Sequence, residues 1–102
     1  SLGLSSSDPA YPLNKAVELA RAQGVMFVVA AGNAGSDACG FSPANVRSAI
    51  TVAASTVNDD RWIDSNFGQC VDIFAPGKDI LSLSLKDPGD ATEPILKFGT
   101  SM

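Results

Sequence analysis

The chain has 102 residues, 45% hydrophobic and 18% charged, with seven basic against eleven acidic side chains and a net charge of −4. This is a single-domain length with a globular composition, which excludes a disordered chain. No Lys/Arg cluster provides an electrostatic footprint for nucleic acid, and the longest apolar run, Val25 to Ala31, is too short to span a bilayer.

In chain order, Ser1-Leu2-Gly3-Leu4 is apolar at alternate positions and gives way to a loop, SSSDPAYP. From Pro12 the pattern turns helical: Leu13, Ala16, Val17 and Ala20 fall at i, i+3, i+4 and i+7. Pro12 suits a first helical position and Gly24 a left-handed C-terminal cap. Val25 to Ala31 then reads as a strand buried on both faces, as in a parallel sheet covered by helices. Gly32-Asn33-Ala34-Gly35 ends it. A loop through Pro43 leads to a second apolar run, Ala49 to Ala54, and a third, Val71 to Phe74, precedes the turn Ala75-Pro76-Gly77. Ile80 to Leu85 and Ile95 to Phe98 flank the turn-rich KDPGDATEP and read as a hairpin delivering the chain to Gly99. This order predicts an α/β layer protein.

Histidine, the usual general base near neutral pH, is absent from the chain, so any serine or cysteine hydrolase chemistry must take its base from elsewhere. Three local patterns can carry chemistry. Gly32-Asn33 after a strand is either a routine turn or a close backbone approach beside an amide that donates to an oxyanion. Gly99-Thr100-Ser101 is either an N-capping turn or a nucleophile whose own N–H faces a developing negative charge. The G-x-x-G from Gly32 to Gly35 has neither the spacing nor the Lys of a phosphate cradle. Cys39 and Cys70 are either two buried thiols or a disulfide, which would stabilise the chain by about 3.7 kcal/mol in the chain-entropy model and imply an oxidising compartment.

The order AAGN, SPA, a strand, Asn66-Phe67-Gly68, DIFAPG and finally GTSM resembles the catalytic domain of the subtilases, most closely the proteinase K branch. The resemblance covers nearly the whole chain. It implies a subtilisin-like three-layer α/β sandwich with a mostly parallel sheet, of which residues 1–102 are the central to C-terminal part. It implies that Ser101 is the nucleophile and that Asn33 donates its side-chain amide to the oxyanion, with the Ser101 N–H as second donor. Ser1-Leu2-Gly3 would form one wall of the substrate cleft, and Ala30-Ala31-Gly32 the other side of the specificity pocket, with Thr100 also in the substrate site. Small residues there leave room for a large apolar or aromatic side chain before the cut. Asp72, with backbone carbonyls of Arg47 and Ala49, matches a family calcium site of hard oxygen ligands; read alone, Asp72 is equally a solvated strand-edge carboxylate. Cys39 and Cys70 match a disulfide of the branch. Polypeptide substrates, a propeptide or proteinaceous inhibitor, and an extracellular location follow from the same likeness, with no nucleic-acid or membrane partner.

Departures accompany the likeness. The fold's triad runs Asp, His, Ser in chain order, and neither a histidine nor a D-[ST]-G motif is present. Both are expected upstream of Ser1, with a helix after Met102, so the chain is read as an internal piece cut just past its nucleophile. Leu4 stands where a second glycine is usual, and Trp62-Ile63-Asp64 replaces a small, serine-rich stretch. The expected function is a serine endopeptidase acting through an acyl-enzyme, with the isolated chain inert and marginally folded. The rival is a non-catalytic peptide- or receptor-binding module on the same scaffold.

Overall fold

A computed structural model describes residues 1–7, 11–83 and 94–102. Helix α1, Tyr11–Ala22, begins one residue before the proline. Pro12 therefore lies in the first turn, where a missing N–H costs no intrahelical bond. At the other end the Gly24 N–H donates to the Arg21 carbonyl (3.0 Å) and the Val25 N–H to the Ala20 carbonyl (3.1 Å), with φ +89° at Gly24. That is a Schellman stop. The buried stripe of α1 is narrower than its periodicity suggests. Val17 is buried against Val29, Val46 and Ala49, Leu13 packs partly beside it, and Ala16 is exposed.

Three strands, β1 (Val28–Ala30), β2 (Ile50–Ser55) and β3 (Ile73–Pro76), form a parallel sheet in that order. Val28 pairs with Ile50, and Val52 with Ile73. The strand expected over 25–31 is thus shorter. Val25 spends its N–H on the helix stop, and both Val25 and Met26 are exposed. The strand expected over 71–74 runs later, because the Val71 N–H is held by the Gly68 carbonyl in a turn. Pro76, which has no N–H, closes β3, and the next bond to β2 comes from the Gly77 N–H to the Ser55 carbonyl (3.1 Å).

Burial on both faces does not hold along the whole of β1. On the face toward α1, Val29, Thr51 and Ala53 are buried. On the other, Val28, Ile50 and Ile73 are 36%, 37% and 56% exposed, because α1, the α-helix among the described residues, packs through Val29 on the first face only. A second small core gathers Ala31, Ala38, Ala44 and Ala53 around the Cys39–Cys70 disulfide, which joins a single 3-10 turn, Ala38–Gly40, to the loop before β3.

The hairpin is present as β4 (Ile80–Leu83) and β5 (Pro94–Lys97), antiparallel with Ile80 opposite Lys97. The connecting KDPGDATEP turn lies largely outside the described residues, as does the end of the first expected arm. After β5 the Gly99 N–H donates to the Gly77 carbonyl (2.8 Å), pinning the C-terminal turn to the end of β3.

Candidate active site

The site forms where the C-terminal end of β1 meets residues 1–3 and 99–102. Leu2 bridges Val29 in parallel: its N–H donates to the Val28 carbonyl (2.8 Å) and its carbonyl accepts from the Ala30 N–H (3.1 Å). Both Leu2 backbone groups are therefore committed to the sheet. By strand alternation those of Ser1 and Gly3 point the other way, the Gly3 carbonyl toward Ser101.

Gly3 also lies against Ser101. The Ser101 Oγ donates to the Gly3 carbonyl at 3.0 Å, and a Cβ on Gly3 would stand 2.9 Å from both Cβ and Oγ of Ser101. Ser101 itself is exposed, in a turn closed by the Met102 N–H to the Gly99 carbonyl (3.2 Å).

Asn33 follows β1 through Ala31 and Gly32. Its Oδ1 accepts both the Thr100 N–H and the Thr100 hydroxyl, each at 2.9 Å. The Thr100 Oγ1 accepts in turn from the Gly32 N–H (3.1 Å), so the buried hydroxyl is used in both directions. With Oδ1 doubly occupied, Nδ2 lies beside Gly99, 3.2 Å from the place of a Cβ there, and donates to no acceptor among the described residues. A positioned, unspent donor beside a serine is what an oxyanion hole requires.

The expected site residues are brought together unevenly. Ser1, Leu2, Gly3, Ala30, Thr100 and Ser101 line one groove of about 190 Å³. Gly32 is buried and holds Thr100 through its N–H. Ala31 does not line that groove. Its side chain is wholly buried against Ala38, Ala44 and Ala53, and its backbone is engaged elsewhere, the N–H by the Val52 carbonyl (2.9 Å) and the carbonyl by the Asn66 Nδ2 (2.8 Å).

Asp72 and Arg47 share a separate cavity of about 300 Å³ with Asn45, Thr51, Gln69 and Cys70, and Ala49 is not among its lining residues. One Asp72 oxygen, Oδ2, accepts the Thr51 N–H at 2.7 Å. Its Oδ1 and the Arg47 and Ala49 carbonyls have no hydrogen-bond donor among the described residues. A free carboxylate oxygen and unspent carbonyls are the hard oxygen donors calcium takes, but with Ala49 outside that cavity the three are not gathered at one cavity. Among the described residues no three His, Cys, Asp or Glu side chains cluster as a metal site.

One residue of the site is invisible as such in the sequence. Asn66 is wholly buried, and its amide holds the turn that carries Asn33: Oδ1 accepts from the Ala34 N–H (2.9 Å) and the Ser36 N–H (3.1 Å), while Nδ2 donates to the Ala31 carbonyl (2.8 Å). In sequence it is one more Asn beside Phe-Gly, a turn residue.

Comparison with known proteins settles the family. The sequence model described as the Subtilase family matches residues 1–102, the whole chain. The chain belongs to the subtilase family. Cerevisin of Saccharomyces cerevisiae is 52% identical over 90 residues, covering 88% of this chain and 14% of that protein. The subtilase-type proteinase psp3 of Schizosaccharomyces pombe is 50% identical over 95 residues, covering 93% of this chain and 20% of that protein. The crystal structure of a cold adapted subtilisin-like serine proteinase superposes with a TM-score of 0.85 at 41% identity, over 100% of this chain and 36% of that one. This subtilase chain thus has the α/β fold that the sequence implied, and spans about a seventh to a fifth of these two curated relatives' length.

Proposed function

We propose that this subtilase chain supplies the nucleophile and the oxyanion donors of a serine endopeptidase. The observation that carries the reading is the double hydrogen bond from Thr100 to the Asn33 Oδ1. It leaves the Asn33 Nδ2 as a preset donor next to Ser101, so the two residues act on one carbonyl.

The chemistry follows the acyl-transfer scheme. The Ser101 Oγ attacks the scissile carbonyl carbon, and its proton passes to a histidine supplied by the full-length protein. Asn33 Nδ2 and the Ser101 N–H receive the negative oxygen of the tetrahedral intermediate. The C–N bond then breaks, the amine leaves with the proton, and water releases the acyl group from Ser101. In the structure the Ser101 hydroxyl rests on the Gly3 carbonyl; engagement by a histidine draws it off that resting bond.

The outward backbone groups of Ser1 and the Gly3 N–H, with the Gly3 carbonyl once the Ser101 hydroxyl leaves it, support binding of an extended polypeptide by strand addition. The small side chain of Ala30 in the groove supports a preference for large apolar or aromatic side chains before the cut. A calcium ion held by Asp72, Arg47 and Ala49 would supply charge that fixes the loop before β2 to the start of β3. The Cys39–Cys70 disulfide supports an extracellular or otherwise oxidising location. No helix among the described residues is long and apolar enough to cross a membrane. A propeptide or a proteinaceous inhibitor would occupy the same cleft as substrate.

Fluorophosphonate labelling of the full-length protein, with the label located by peptide mass spectrometry, tests the reading. Label on Ser101, abolished by Ser101→Ala along with peptide hydrolysis, is the expected result. An unlabelled, folded full-length protein that still binds peptides would overturn it in favour of a binding module.

A further inference from the structure

We propose that Asn66 is a positioning residue for the oxyanion donor Asn33; the inference rests on the peptidase reading above. Asn66 does not touch the groove. It lies entirely within the protein, and its polar atoms point at one short segment. Its Nδ2 donates to the Ala31 carbonyl just before Gly32-Asn33, and its Oδ1 accepts the N–H groups of Ala34 and Ser36 just after. Its own N–H donates to the Gly32 carbonyl at 2.9 Å. The segment carrying Asn33 is thus clasped from both sides by one amide, and the Asn33 side chain is held by Thr100.

The clasp specifies an asparagine. Two backbone donors face Oδ1 and one backbone acceptor faces Nδ2, so a carboxylate of the same shape would set oxygen against the Ala31 carbonyl. An alanine would leave one buried acceptor and two donors of the turn unsatisfied. Gly32 completes the fit, since a Cβ there would stand 2.4 Å from the Asn66 Nδ2. Asn66 is itself held firmly. The Ser65 Oγ donates to the Asn66 carbonyl (3.0 Å) while accepting the Ala54 N–H (2.9 Å). The Arg61 guanidinium donates to the carbonyls of Trp62, Ile63 and Ser65. The stretch Trp62-Ile63-Asp64, unusual for the family, is therefore part of the frame behind the donor. Beyond it Phe67 pairs with Asp37, extending the two-loop contact.

The test is a double-mutant cycle in the full-length protein, with kcat expressed per active site titrated by fluorophosphonate so that unfolded material drops out. Asn66→Ala and Asn66→Asp are each combined with Asn33→Ala. A lost oxyanion donor costs about 10²–10³ in kcat; misaiming it is expected to cost about tenfold, with KM changed less than about twofold. In the Asn33→Ala background either Asn66 substitution should then change kcat less than about twofold, since no donor remains to misaim. Unchanged kcat per titrated site in the single variants overturns the inference, and so does a full additional loss in the Asn33→Ala background. If neither Asn66 variant yields titratable enzyme, Asn66 belongs to the fold and not to the donor, which also overturns it. Failure of the peptidase reading shows separately, as a parent protein that neither hydrolyses peptides nor takes the label.

Discussion

Gly32 sits where two demands coincide: a φ of +102° and a neighbour 2.4 Å from the place of a Cβ. A non-glycine residue held in such a sparsely populated region costs about 1–3 kcal/mol, and the clash with Asn66 adds to that. Gly32→Ala should lower the urea midpoint of the full-length protein by a corresponding amount, and a midpoint equal to wild type would show that the turn relaxes freely. Thr100 presents a different case. Thr100→Val keeps the shape but removes the hydroxyl that accepts from Gly32 and donates to Asn33. The Gly32 N–H then has no partner, a penalty of about 1–3 kcal/mol. The Asn33 amide keeps only one of its two Thr100 bonds, so kcat should fall by about tenfold while KM holds; a change confined to KM would contradict that. Ser101 and Asn33 were legible as candidates because AAGN and GTSM occur in a fixed order. Asn66 was not, because nothing local separates an asparagine that clasps a distant turn from one that caps its own.

At the scale of elements, the Cys39–Cys70 bridge joins the loop leaving the site to the loop entering β3. Removing both thiols by Cys39→Ser with Cys70→Ser should cost about 2–4 kcal/mol of stability, read as a drop in Tm that dithiothreitol reproduces in the wild-type protein. An unchanged Tm would assign the stiffness of this region to the clasp of Asn66 and the Asp37–Phe67 bridge alone. The elements themselves were legible through their punctuation. Gly24 marks the helix stop and Ala75-Pro76-Gly77 the end of β3. Strand limits were less so. Val25 and Met26 are β-prone but fall on the helix stop, and an apolar run cannot show which of its residues find a ladder partner. Leu2 is the converse: the opening stretch reads as a first strand, the structure keeps only a single bridge residue there, and its two bonds to β1 place Gly3 beside Ser101.

For the molecule as a whole, the sheet is two-faced in a way that bears on the isolated chain. The face toward α1 buries Val29, Thr51 and Ala53, with Phe74 at its edge 44% exposed, whereas Val28, Ile50 and Ile73 on the other are each more than one-third exposed. Leu81, Leu83, Leu96 and Phe98 of the hairpin region are each more than half exposed as well. At roughly 25 cal/mol per Å² of apolar surface, leaving such a face wet forfeits stabilisation that a chain of this size needs, since small domains are marginal to begin with. A polypeptide of residues 1–102 should therefore bind the dye ANS, associate as its concentration rises, and melt without a sharp transition. It should also resist fluorophosphonate, because it contains no histidine to take the Ser101 proton. The full-length protein should label. A sharp, concentration-independent melt of the 102-residue polypeptide would show that the α1 face and the disulfide suffice to hold the site. Labelling of Ser101 in that same polypeptide would mean that the oxyanion donors activate the serine without any base.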